Sequence, residues 1–226
     1  MTAGLFFCGA VKSALEDRAW PAQVAWGTVG ALRDRVLAGE RPAVVILSDA
    51  ALEALAKAGH VARAAILRLG ATGTGLALRD GAPRRPIGDA AALRAALLAA
   101  ESISWADGSS GATAGRHFEG VIAALGIAEA VRAKARLVRF GVEAVAACGR
   151  GEVELAVSQS TEIIDRPGVS LLGEFPPPFA LSTSYAAAAL DESALACAVM
   201  AALAAPETQA ALRKIGFSET GTGEPP

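Results

Sequence analysis

The residues of this chain able to do chemistry are small hydrogen-bond donors placed directly after short apolar runs. Cys8-Gly9-Ala10-Val11-Lys12, Gly27-Thr28-Val29-Gly30 and Ser48-Asp49 follow three such runs early in the chain. Asp107 to Gly115, Phe140-Gly141 and Ser158-Gln159-Ser160-Thr161-Glu162 follow three more. Hydroxyls beside the unpaired N–H groups of a starting helix bind an oxyanion or a carboxylate. The richest segment is Asp107-Gly108-Ser109-Ser110-Gly111-Ala112-Thr113-Ala114-Gly115. Its small residues permit close backbone approach, and Ser109, Ser110 and Thr113 offer hydroxyls. The same residues also fit an ordinary loop with Thr113 capping a helix, and Thr28 and Ser48 fit the caps of the helices they precede.

Other chemistries find less support. His117 stands one turn into the helix that leaves the serine-rich loop, where it serves either to orient a ligand and shuttle a proton or simply to pack. His60, beside Gly59, reads as surface. Without an acidic pair or a second histidine nearby no metal site is expected, and no cofactor motif is present. Gly73-Thr74-Gly75 is not a phosphate loop, because no Gly-Lys-Ser/Thr follows and the next residues look like a strand. Cys8, Cys148 and Cys197 show no metal or redox spacing and read as buried apolar residues.

The elements that must position these donors are short strands alternating with amphipathic helices. Strands are expected at Leu5–Phe7, Gln23–Trp26, Ala43–Leu47 and Leu76–Leu78, with helices at Ala10–Trp20, Gly30–Ala38 and Asp49–Ala58. Spacing carries the helices: Leu32, Val36 and Leu37 share a face, as do Leu52 and Leu55. Val44-Val45-Ile46-Leu47 reads as a buried parallel strand. A boundary falls near the Asp80-Gly81-Ala82-Pro83 turn. A second alternation follows: helix Ala90–Ala100, strand Ile103–Trp105, helix Ala114–Leu125, strand Arg136–Val138, helix Val142–Cys148, and strands Glu154–Val157 and Val169–Leu171. Pro176-Pro177-Pro178 reads as an extended connector. Strand Ser182–Tyr185 and helices Glu192–Ala204 and Glu207–Ile215 complete the first alternation, and Thr220–Pro226 should be loose.

Composition reads as a compact, helix-rich globule. The 226 residues are 53% hydrophobic and 19% charged, and 21 Lys and Arg against 23 Asp and Glu give a formal charge of −2. That balance supplies no broad basic field for nucleic acid or an anionic membrane. The longest apolar stretch, Ala194–Ala205, has about 12 residues against the roughly 20 needed to span a bilayer.

The ordered set of turns carries a resemblance. Gly9-Ala10-Val11-Lys12, Gly27-Thr28-Val29-Gly30-Ala31-Leu32, Val45-Ile46-Leu47-Ser48, Trp105-Ala106-Asp107 with Ser110-Gly111-Ala112-Thr113-Ala114-Gly115, and Val157-Ser158-Gln159-Ser160-Thr161-Glu162-Ile163 are together similar to molybdate-binding-like solute-binding proteins of ABC transporters. The resemblance covers nearly the whole chain and implies a type II periplasmic-binding fold: two doubly wound α/β lobes joined by a two-strand hinge. Lobe 1 would be residues 1–78 plus 181–226 and lobe 2 residues 79–180, with the ligand between them. It also implies that Ala10, Val11, Lys12, Thr28, Val29, Ser48, Ser109, Ser110, Thr113, Ala114, Gln159 and Ser160 face that ligand.

The chain departs from the molybdate binders it resembles. They carry serine hydroxyls after strand one and in the second turn, and a tyrosine late in the second lobe, where this chain has Ala10, Val29 and Gln159. A small organic carboxylate therefore suits Lys12, Gln159 and the serines as well as a molybdate-like oxyanion does. Some relatives look like aconitate isomerases, which implies an alternative: Glu162 or His117 as base, with Lys12 and the Ser110 loop holding carboxylates. A cytosolic anion sensor is the third class. The expected partners are a small anion and an ABC permease, with no nucleic acid, for a monomeric protein. Its location would be periplasmic if a leader has been removed and cytoplasmic if Met1 is the native start.

Overall fold

A computed structural model describes residues 4–61 and 66–218. The chain divides into two compact units, Met1–Thr72 with Thr183–Pro226, and Gly73–Ser182. The first division falls inside a strand, before the Asp80–Pro83 turn.

In the first unit β1 (Leu5–Cys8), β2 (Val24–Gly27) and β3 (Val44–Ser48) form a parallel sheet with β1 central. β9 (Ser182–Ala189) adds antiparallel to β3, with Ser48 opposite Tyr185. β3 is buried along its whole length, as its β-branched run predicts. α2 (Val29–Leu37) and α3 (Asp49–Lys57) follow β2 and β3, and α9 (Ala194–Ala204) and α10 (Pro206–Lys214) close the unit's sequence. Phe7 anchors the core, edge-on to Trp20 at 5.1 Å and to Trp26 at 5.8 Å between ring centroids.

The helix expected at Ala10–Trp20 is cut to a 3-10 turn, Gly9–Val11, and α1 (Lys12–Leu15). The carbonyl of Leu15 accepts from Arg18 N at 3.3 Å and from Trp20 Nε1 at 3.1 Å. The indole is thereby drawn onto Phe7, and burying that ring takes precedence over another helical turn.

In the second unit β7 (Leu155–Gln159), β5 (Ile103–Ala106) and β6 (Ala135–Val138) are parallel, with β5 between the other two. β4 (Ile66–Arg79) pairs antiparallel with β7 and with β8 (Val169–Glu174). Alternation along these strands assigns two faces. Leu76, Leu78, Leu155 and Val157 pack in one apolar cluster with Leu93, Leu97 and Phe118 of α4 (Ala90–Ala99) and α5 (Thr113–Ala124). Ala77 and Ala156 pack in another with Ala144, Val145 and Cys148 of α7 (Gly141–Gly149). The sheet is thus covered on both sides, the doubly wound pattern.

The glycine-rich segment Gly70–Gly75 is the middle of β4 and not a separate loop. Two of its glycines are matters of space: a Cβ on Gly75 would come within 2.6 Å of the Gly173 carbonyl, and one on Gly73 would overlap the Glu174 carboxylate. The Pro176–Pro178 run turns instead of extending, with Phe179 N donating to Pro176 O at 2.7 Å. α6 (Ala128–Arg132) and α8 (Ser160–Ile163) are too short for periodicity to announce. Cys8 and Cys148 are buried as expected, whereas Cys197 is exposed on α9. Burial pushes the Cys148 thiol up to about 11. Thr220–Pro226 lies outside the described residues.

Helix α5 gives a paired test. A Cβ on Gly115 would overlap the Ala106 carbonyl oxygen of β5, whereas one on Gly120 meets nothing within 4 Å. Gly115→Ala should cost about 1–3 kcal/mol of unfolding free energy through overpacking. Gly120→Ala should instead add about 0.5–1 kcal/mol by raising helix propensity. Urea unfolding of both variants checks the expected opposite signs.

Candidate functional site

Because β1, β2 and β3 are parallel, their carboxyl ends share one edge of the first unit's sheet. Ala10 and Val11 are buried there, so that turn offers backbone and no hydroxyl. Lys12 pairs with Glu16 at 3.7 Å and lies over the Trp26 ring at 5.9 Å. Thr28 caps α2, its Oγ1 accepting from Ala31 N at 3.2 Å, and Val29 opens that helix. Ser48 precedes α3 without bonding to it through its side chain. Two hydroxyls that look equivalent in sequence therefore differ: one holds its helix and the other does not.

The second unit collects Asp107 to Ala114, Arg139 to Gly141 and Gln159 to Ser160 at the shared carboxyl edge of β5, β6 and β7. Here the Ser109 turn, Ser110, Gln159 and Ser160 have partners within the chain. Ser109 N donates to Asp107 Oδ1 at 2.8 Å, and this bond, with one from the Ser109 side chain, holds the Asp107 carboxyl below its usual range. Ser110 Oγ donates to Asp107 O at 2.6 Å. Ser160 Oγ donates to Glu174 Oε1 at 2.7 Å, and Gln159 Oε1 lies 3.4 Å from Thr74 Oγ1. Thr113 is the first residue of α5 and does not cap it, and Ala114 beside it is buried. A hydroxyl has one proton to give, so the bonds of Ser110 and Ser160 limit what they offer a solute.

Charge is distributed unevenly along this edge. Glu143 Oε2 accepts from Arg139 N and Phe140 N, each at 3.1 Å, at the entry to α7. The buried Glu162 carboxylate accepts from Ser158 Oγ and lies where a Cβ of Gly141 would be. The start of α7 therefore already has two internal carboxylates beside it, which complement its positive dipole end. His117 Nε2 lies 2.8 Å from the Phe179 carbonyl, and its ring centroid is 6.0 Å from that of Phe175. Sequence reasoning passed over Arg139, an exposed guanidinium lying 5.1 Å over the Phe140 ring. No group of His, Cys, Asp and Glu suited to a metal ion occurs among the described residues.

Comparison with known proteins places this architecture. Residues 21–218 match the model of the bacterial extracellular solute-binding proteins. The chain belongs to that family. The solute-binding protein superimposes on a periplasmic molybdate-binding protein of Azotobacter vinelandii with a TM-score of 0.74 and 15% identity, covering 97% of this chain and 100% of that one. The substrate-binding domain of a molybdenum ABC transporter of Clostridium difficile, described as putative, gives 0.67 and 12% over 97% and 99%. A sulfate-binding protein of Mycobacterium tuberculosis gives 0.65 and 17% over 98% and 88%. At such low identity these likenesses establish the fold, and they bear out the α/β periplasmic-binding class expected from the turns. Aconitate isomerase of a Pseudomonas species is 30% identical over 167 residues, which are 74% of this chain and 62% of that protein. The family is extracellular by description, which gives the cytoplasmic alternative no support.

The contrast between the two caps is measurable in the absence of solute. Thr28→Ala should lower stability by about 1 kcal/mol, the usual cost of a lost N-cap. Ser48→Ala should stay within about 0.5 kcal/mol of the parent. Equal losses in denaturant unfolding would mean that Ser48 also holds its helix.

Proposed function

We propose that this solute-binding protein captures a small anion at its strand-end turns and hands it to an ABC permease outside the cytoplasm. What carries the reading is the convergence of helix starts at the carboxyl edge of each parallel sheet, in a chain of the solute-binding family. In the first unit Lys12, the N–H groups opening α2 and α3, and the Ser48 hydroxyl would make the contacts. In the second, Thr113, Ala114, Gln159 and the exposed Ser109 turn would make them.

A small organic carboxylate and a molybdate-like oxyanion differ in what they require. A tetrahedral oxyanion needs many convergent donors, and Ala10 and Val29 bring no hydroxyls to that task. The resemblance to aconitate isomerase favours a tricarboxylate and supports a second reading, proton transfer next to a carboxylate. Glu162 or His117 would then be the base and Lys12 a clamp. Glu162 is bonded to Ser158 and His117 faces the Phe179 carbonyl, so catalysis would require either group to exchange its partner.

A thermal-shift series with molybdate, tungstate, sulfate, citrate, cis-aconitate and trans-aconitate tests both readings. A solute at about 100 times its Kd should raise Tm by about 5–10 °C in a chain of this size. No shift with any of the six would refute anion capture. A shift with molybdate or tungstate alone would refute the isomerase reading. If aconitates bind, interconversion followed by absorbance should be lost in Glu162→Gln, His117→Asn or Lys12→Ala; equal turnover in all three would dismiss these residues from the chemistry.

A further inference from the structure

We infer that Arg139 is a specificity-determining residue that anchors one carboxylate of an organic di- or tricarboxylate. The inference deepens the anion-capture reading and rests on it. Its observation is a guanidinium at the strand-end edge of the second unit, lying over the Phe140 ring with no acidic partner among the described residues.

Most arginines of this unit already have acceptors. Arg85 pairs with Glu154, Arg132 with Glu119, and both Arg136 and Arg150 with Glu152. Arg84 and Arg94 donate to backbone carbonyls. Arg79 ends β4, at the opposite edge of the sheet, because β4 runs antiparallel to β7. Arg116 is exposed on α5 beside Gly108, with no side-chain contact to orient it among the described residues.

Arg139 differs in each respect. It directly follows β6, so it leaves the sheet at the same edge as Asp107 and Gln159. Its carbonyl lies 3.5 Å from Ser110 Oγ, which places its backbone against the Ser109–Ser110 turn. The acid nearest in sequence, Glu143, bonds to the backbone N–H groups of Arg139 and Phe140 and makes no ion pair with the guanidinium, which lies over the Phe140 ring instead. A cation–π contact of this kind favours a position over the ring and leaves the guanidinium N–H groups available to a carboxylate.

The solute class follows from the donors that remain. Ser110 and Ser160 give their protons to acceptors within the chain, and two carboxylates already lie beside the start of α7. A compact oxyanion that needs a ring of hydroxyls is poorly served by that set. A carboxylate standing away from the solute's centre matches the fork of an arginine, which can donate two parallel N–H bonds to it. A solute with two or three carboxylates can meet Arg139 and the helix starts together.

Calorimetric titration of the whole protein with citrate, tricarballylate and sulfate tests this. Arg139→Ala should weaken citrate and tricarballylate about 10- to 100-fold, the range for a charged hydrogen-bonded contact, and change sulfate affinity less than about threefold. Arg139→Lys, which keeps the charge without the fork, should fall between. Arg213→Ala, which removes an exposed charge from α10, should bind as the parent does. Equal citrate affinity in Arg139→Ala and parent would overturn the inference, as would an equal loss in Arg213→Ala. A parent that binds sulfate but neither organic acid would also overturn it while leaving anion capture intact. A parent that binds none of the three would overturn both.

Discussion

Parallel pairing is the constraint on which the rest of this molecule depends. In the second unit Ile103 stands level with both Ala135 and Leu155, so β5, β6 and β7 run in register and end together. In the first, Cys8 is level with Gly27 and Phe7 with Ile46. Strands covered on both faces have no water to satisfy backbone groups along their length, so their ladder bonds are obligatory. Free N–H groups can then arise only where the chain leaves the sheet and a helix begins. A slip of one residue would reverse the faces of Leu155, Ala156 and Val157 and set large side chains against α7, where Ala144 and Ala147 leave little depth.

The same geometry creates a competition. Every donor that gathers at a strand end is close to acceptors of its own chain, and several are taken before any solute arrives. Asp107 binds Ser109 and receives the Ser110 proton at its carbonyl, which closes the loop on itself. Glu143 and Glu162 do the same for the start of α7. Internal acids give these turns a fixed shape, because groups already bonded within the chain resist reorganisation. They also reduce the attraction that a helix start exerts on an outside anion. What remains for recognition is a small set of groups with definite direction, and direction separates solutes better than net charge does.

Much of this was legible in the residues and some was not. Val44 to Leu47 announced a buried strand, and the stripes of α2 and α3 announced helices, because burial imposes a period on sequence. The order of the turns carried the fold. The shortening of α1 was hidden because it depends on an indole reaching back to Leu15, a contact between residues with no helical relation. The strand through Gly70–Gly75 was hidden because glycine usually weakens a strand, while here Glu174 and Gly173 occupy the space that side chains would fill. The hydroxyls were found but their partners were not: nothing in Ser109-Ser110 says that Asp107 has already taken them. Arg139 was missed since a lone exposed arginine reads as solvated surface; the aromatic residue directly after it was the available signal.

Glycine positions link these observations. At Gly141 the missing Cβ leaves room for the Glu162 carboxylate, and at Gly73 for that of Glu174, which in turn receives the Ser160 proton. At Gly115 it lets α5 close on the Ala106 carbonyl, bringing the helix start down to the strand end. Each small residue therefore decides how near a charge or a dipole lies to the strand-end edge. Ala10 and Val29 bring no hydroxyl to the helix starts they stand beside, so the donors there are backbone N–H groups and the neighbouring Lys12 and Thr28. A scaffold of this kind can change its chemistry without changing its fold, because the sheet fixes where helix starts gather and the few side chains at that edge fix which donors stand beside them.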